Sequence, residues 1–371
     1  MLNLYTSYKI IVSSIKFSIK FAIPQNLLIM IVRKSLTLKS VLEFAGHHLW
    51  WLISYMLIVA IFYKVAGLHW ISIPWLPVSL VGTAVAFYVG FKNNQSYDRV
   101  WEARKIWGAI VNSSRSWGIM VNSFVRNNEF TKYSEEELLQ IKQRLVYRHI
   151  AWLYTLREQM LVPTQSEHVS LRHLFGKLAV KRRENYGIGQ FKNFLSEKQK
   201  ADYSIDDLQL KSAANKASQI INLQSLHLAK LEEKQILHMR RQLDMQKLLV
   251  DFYDHQGRAE RIKKFPLPRQ YANLSFLFNC FFIFLLPLGI VAEFAKLGDA
   301  GVWLMVPFGT IVGWIYVVME LIGDYSENPF EGLSTDIPML SICRTIEIDL
   351  LQMLGETDIP EPIQPVNDVL M

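Results

Sequence analysis

Apolar and polar positions along this chain fall into long blocks, and the spacing inside the blocks is helical. Residues 78–107, VSLVGTAVAFYVGFKNNQSYDRVWEARKIW, open without a charge and then turn amphipathic, with Arg99, Glu102, Arg104 and Lys105 set among Tyr97, Trp101 and Trp107. No proline or turn signal divides the two halves. The stretch therefore predicts one helix that starts in a bilayer and runs out into water. Extended back to Ile71, its uncharged part has about the length that crosses a hydrocarbon core. Apolar blocks at 44–63, 274–292 and 302–319 predict three more membrane helices, and four spans put both termini on one side. Between the second and third spans the chain reads as polar helix. Residues 134–160 place Ser134 three positions before Glu137, the spacing of a capped helix start. Residues 164–203 are rich in charge and turn residues and predict a loop-rich excursion, and 206–252 predict one long helix with Gln219, Ile220, Leu223 and Leu226 on one face. A last helix carries Ile342, Ile346, Leu350 and Met353 on one side, and a proline-rich tail then lies extended over a neighbour or stays mobile. Nowhere does strand alternation persist, so the class is all-α.

The uncharged half of 78–107 carries a stripe. Thr83, Phe87 and Phe91 follow at i, i+4 and i+8, on nearly one side of the helix, with Gly82, Ala86 and Gly90 beside them to admit close neighbours. One such helix encloses nothing. Several copies around an axis would form an apolar constriction ringed by phenylalanine. Ordinary helix packing produces the same spacing.

Composition sharpens this picture. Of 371 residues 51% are hydrophobic, too many for an ordinary soluble enzyme, and 20% are charged, too many for a bundle lying wholly in a membrane. The net charge of +7 is better explained by cytoplasmic basic residues such as Arg144, Arg148, Lys181, Arg182 and Arg183 than by nucleic acid, which places both termini in the cytoplasm. The two cysteines, Cys280 and Cys343, form no C-x-x-C or His/Cys metal spacing, so neither a disulfide framework nor a metal or cofactor site is expected. No phosphate loop, nucleophile elbow or zinc-protease motif occurs, and His149, His168, His173 and Glu158 show no catalytic spacing; an enzyme is not expected. His47 and His48 beside Trp50 and Trp51 fit an interfacial aromatic belt, with a pH switch or metal site as the other readings. Residues 1–29, with Lys9, Lys16 and Lys20, are a basic amphipathic stretch: either an extension ahead of a true start at Met30, or a helix lying on the membrane.

Three motifs in order carry a resemblance. SYDRVWEARKIWG at 96–108, with Tyr97, Arg99, Trp101, Glu102, Arg104 and Trp107, is followed by ERIKKFPLPRQY at 260–271, with Pro266 and Pro268, and by GDYSENPF at 323–330, ending in Asn328, Pro329 and Phe330. Together they resemble the bestrophin family over roughly 32–355. The resemblance implies an extension at 1–29, two membrane helices in 30–98, a cytosolic helical region in 99–270, two more membrane helices in 271–325, and a cytosolic helix and tail in 326–371. It further implies a homopentamer in the cell inner membrane, with lipid and small inorganic ions as its other partners and no nucleic acid. The pore neck falls on Thr83, Phe87 and Phe91, where Thr83 replaces the usual apolar residue and adds a hydroxyl that wets the constriction.

The family includes chloride channels, and some bacterial members resemble cation channels. Phenylalanine edges turned to the axis favour anions, and faces turned inward favour cations. Lys92, Asn93 and Asn94 follow the neck; at the pore mouth a lysine and amide donors would favour anions, whereas Lys92 turned outward would meet lipid headgroups. A second constriction in the family falls near 239–243, where Arg240 and Arg241 either face the pore or form a solvated surface. Chloride or another small anion is the expected cargo. A cation channel of the same fold and a non-conducting sensor or scaffold are the alternatives. Trp101, Glu102, Arg104 and Trp107 are expected to hold the helix to its neighbours, Arg104 through a buried charge pair. The calcium clasp of animal members uses a run of acidic residues after N-P-F. Only Glu331 and Asp336 stand there, so calcium gating is not expected.

Overall fold

A computed structural model of the chain describes residues 38–127, 129, 132–170, 180–181, 213–298, 300–366 and 369–370. The expectations about 1–29, Met30, Arg182, Arg183, His173 and most of 164–203 lie outside the described residues. In chain order the helices are α1 (Leu38–Ala45), α2 (His47–Lys64), α3 (Trp75–Phe124), α4 (Glu135–Leu161), α5 (Lys216–Glu233), α6 (Met239–Lys264), α7 (Arg269–Ala295), α8 (Gly301–Ser326) and α9 (Met339–Leu354). Among the described residues the only strand-like pairing is one isolated bridge, Val366 with Val369.

The helix over 78–107 is real and longer than predicted, with 50 residues from Trp75 to Phe124. Its start follows from two prolines. Pro74 holds an extended conformation at the N-cap, and Pro77 lies in the first turn, where a missing N–H costs nothing. No breaker follows, so α3 passes from an apolar core into a polar one. Its first half packs with α2, α7 and α8 around Met56, Val78, Val85, Val89, Phe282, Leu286 and Met305. Its second half joins α4, α5, α6 and α9 around Trp107, Trp117, Trp152, Phe252 and Ile346.

The helices α3, α7 and α8 are long and apolar enough to cross a membrane. Glycines bring them together: a side chain at Gly82 would meet the Phe282 ring at 2.6 Å, and one at Gly289 would meet Val78 at 2.9 Å. Gly90 has no atom of another helix of this chain within 4 Å of the place a side chain would take. The first predicted span is split by Gly46 into α1 and α2, and α2 carries His47, His48 and Lys64 at its ends. Trp51 Nε1 donates to His48 Nδ1 at 3.0 Å, an arrangement suited to an interface.

In the polar half, Ser134 and Glu137 form the capping box that their spacing predicts. The expected single helix over 206–252 is interrupted between Glu233 and Met239. Gln235 takes a positive φ of 56°, and His238 caps the new start by accepting from the Arg240 N–H. The tail does not leave the chain: Ile359 and Ile363 pack on the polar-half core.

Candidate functional site

The two faces of α3 separate cleanly in its apolar half. Val78, Gly82, Val85, Val89, Lys92 and Ser96 are buried against α7 and α8. On the other side Thr83, Phe87 and Phe91 are exposed, the two phenylalanines at 67% and 61%, although they belong to the most apolar part of the helix. Asn94, Gln95, Asp98 and Lys105 continue that exposed side, so it changes from apolar to polar as it leaves the apolar core. The stripe and Asn94 therefore lie on one exposed side of α3.

Lys92 and Asn93 do not join them, and their proposed place at an open mouth is corrected. The Lys92 side chain is 1% exposed and donates from Nζ to Glu320 Oε1 at 2.5 Å, while Ser275 Oγ donates to Glu320 Oε2 at 2.7 Å. Lys92 is one residue on from Phe91, about 100° further around the helix, which turns it into the bundle and away from lipid headgroups. Asn93 Nδ2 donates to the Met319 carbonyl at 3.0 Å, and its Oδ1 is pressed against Gly323. Glu320 was the residue to find. It is the one charge in 300–323, as Lys92 is in 75–97, and an ionisable group alone in an apolar helix asks for a partner.

The signature residues divide in the same way. Arg99 is a hub: Nε donates to the Glu327 carbonyl at 2.8 Å, Nη1 to the Phe265 carbonyl at 2.9 Å and Nη2 to the Ile262 carbonyl at 3.0 Å. These carbonyls belong to the C-terminal ends of α8 and α6, where backbone acceptors lack helical partners and the helix dipole favours a cation. Arg261 Nη2 meets Glu102 Oε1 at 2.6 Å, a second tie between α3 and α6. Tyr97 and Trp101 are exposed and stack on each other. Trp107 is fully buried in the core of this same chain. The expected charge pair of Arg104 is not found, since its buried Nη1 has no partner among the described residues. Arg240 is exposed at the start of α6, and Arg241 lies over the Phe124 ring.

The two proline motifs meet in a cluster that sequence reasoning missed. Pro268 caps α7, and Arg269 beside it pairs with Glu327 at 3.1 Å. Pro266 holds the turn ahead of it. Asn328 Nδ2 reaches the Ser166 carbonyl, the Pro329 carbonyl accepts from the Ile337 N–H, Phe330 is buried, and Lys263 pairs with Glu167. His168 spans the centre, with Nε2 2.8 Å from Asp324 and Nδ1 3.0 Å from Glu331, and its ring is stacked on Tyr325. Asp336 accepts the Gly332 and Leu333 N–H groups, so both carboxylates after N-P-F are engaged by the protein itself.

Burial pulls the His168 imidazole down, but hydrogen bonds to Asp324 and Glu331 and their charges outweigh it and hold it at about 10. A raised value means that the charged form is the one the fold favours. The contribution to stability is full below the ordinary 6.5, shrinks as pH rises, and is gone above about 10. Wild-type protein in detergent is therefore expected to lose more thermal stability between these limits than His168→Gln; parallel loss in both would remove His168 from the account. His149 is different. It sits among Trp117, Trp152 and Phe252 with the Ser114 hydroxyl at 2.9 Å, and burial pushes it down to about 3. Glu158 is exposed elsewhere, so these residues form no catalytic set.

Comparison with known proteins gives one consistent result. The family model described as Bacterial/Fungal Bestrophin protein matches residues 24–352. The voltage-dependent anion channel-forming protein YneE of Escherichia coli K12 is 26% identical over 291 residues, covering 78% of this chain and 80% of that one. A voltage-dependent anion channel-forming protein of Nostoc is 24% identical over 277 residues, 75% of this chain and 76% of its own length. Among solved structures, a bacterial bestrophin homologue from Klebsiella pneumoniae superposes with a TM-score of 0.65 at 20% identity, over 84% of this chain and 98% of that one.

Proposed function

Because the chain belongs to the bacterial and fungal bestrophin family, we propose that it is a homopentameric channel passing chloride or another small anion through a hydrophobic neck built from Thr83, Phe87 and Phe91. The family is one of ion channels, so the protein is not an enzyme. The observation that carries the reading is the exposed stripe of α3, which ends in Asn94 and continues into polar residues. An axis lined by five such stripes is dry at the two phenylalanines and wet below them, and an ion crossing it sheds water only over a short distance. Four spans, with α2 as the first, keep both termini in the cytoplasm of a cell whose inner membrane holds the channel. The relatives, voltage-dependent anion channel-forming proteins by name, support an anion. So do the amide donors of Asn94, whereas Lys92 does not, since Glu320 neutralises it. That neutralisation is what favours the second reading, a cation channel of the same fold.

A reversal-potential measurement on reconstituted protein under a potassium chloride gradient separates the two. The anion reading expects reversal near the chloride equilibrium potential; reversal near that of potassium would replace it with the cation reading. No current from well-assembled protein would leave a sensor or scaffold. Native mass spectrometry is expected to return five copies, and monomers or dimers alone would sink the pentamer.

A further inference from the structure

The buried pair between α3 and α8 has a role beyond joining two helices. Lys92 follows Phe91 directly, it is the only charge on α3 before Asp98, and Glu320 is the carboxylate of α8 that pairs with it, with Asp324 one turn further along the same helix. Ser275 of α7 completes the carboxylate's hydrogen bonds. Both charged side chains are buried, at 1% and 7% exposure, so water does little to screen them. If the Glu320 carboxylate were absent, each copy around the axis would hold a buried positive charge without its direct partner one residue beyond the neck, offset only by the more distant Asp324 and Glu327.

We infer that Glu320 is a specificity-determining residue: it cancels the Lys92 charge beside the neck, so that ion preference is set by Phe87, Phe91 and Asn94 and not by a lysine field. The inference rests on conduction through the neck proposed above. It gives a reason for retaining an ion pair that costs desolvation on both sides and yields little net stability. Glu320 never touches the permeating ion, and its effect acts through Lys92.

The test is a charge cycle read by reversal potential in reconstituted bilayers under a potassium chloride gradient, with size-exclusion profiles of each preparation. Glu320→Gln keeps the shape and frees the lysine charge; chloride preference over potassium is expected to rise several-fold. Lys92→Met leaves the carboxylate and shifts preference the other way. The double variant, Lys92→Met with Glu320→Gln, has no net charge and is expected to reverse at the wild-type potential. A merely structural pair predicts loss of assembly in the single variants with unchanged reversal in whatever assembles, and that result overturns the inference. Should neither single variant assemble, mixed assemblies of wild-type and Glu320→Gln copies are read in the same way: a shift toward the chloride equilibrium potential supports cancellation, and wild-type reversal overturns it. Absence of current from wild-type protein is a distinguishable failure, because it removes the conduction reading itself.

Discussion

Alanine at Phe87 or Phe91 raises the basal current of the reconstituted protein, and alanine at both raises it further. A ring of phenylalanines in a narrow passage expels water, and truncating the ring widens the passage and lets water persist. Deleting a buried phenylalanine ordinarily costs roughly 3–5 kcal/mol. That cost does not apply within the single chain here, since Phe87 is 67% and Phe91 61% exposed and neither belongs to either core. Expression and assembly are therefore expected to survive. Anion-over-cation preference is expected to change little, because Asn94 and the cancelled Lys92 charge are untouched. Single-channel recording beside size-exclusion profiles checks this. Well-assembled variants with unchanged current would take both residues out of the pore.

The second large effect belongs to Arg99. Arg99→Ala strips one guanidinium from three carbonyls at the ends of two helices. The two part-buried acceptors, at Glu327 and Ile262, each cost about 1–3 kcal/mol when left unpaired, whereas the exposed Phe265 carbonyl turns to water, so a loss of roughly 3 kcal/mol is expected. Arg99→Lys recovers only part of this, because an ammonium cannot span three divergent acceptors as a planar fork does. Arg104→Ala is the control in the same motif: its Nη1 has no partner among the described residues, so its loss is expected to be the smaller. Thermal unfolding in detergent ranks the three. An Arg99→Ala protein as stable as wild type would mean that these bonds are replaced by water at no cost.

Local rules reached far into this fold. The absence of a breaker made one helix of 78–107 visible, and Ser134 with Glu137 marked a helix start because capping needs only three residues of separation. The break before Met239 was hidden, since it rests on Gln235 in a left-handed conformation, which glutamine does not advertise. The exposed stripe was legible from period alone. Its neighbours were not: whether Lys92 turns to water or inward depends on a carboxylate 228 residues away. Arg99 was legible as part of a motif, but its work is done on backbone carbonyls, which leave no mark in a sequence. His168 was visible as a histidine without catalytic spacing, but its place was not, because its partners come from the end of α8 and the loop after it.

The unbroken course of α3 has a mechanical consequence. At 1.5 Å per residue its 50 residues make a rod of about 75 Å, and the Arg99 tie falls near its midpoint. A rod clamped at its centre behaves as a lever with arms of nearly equal length. Displacement of the cytosolic arm, at exposed Ile119 for example, appears at Phe87 with opposite sense and about three-fifths of the size, because the two lie about 30 Å and about 18 Å from the pivot. Torque applied far out in the aqueous half would thus reach the membrane half without a hinge and without loss to slack. Spin labels replacing Ile119 and Thr83 would report correlated, opposed movement if the rod pivots, and independent movement if it bends.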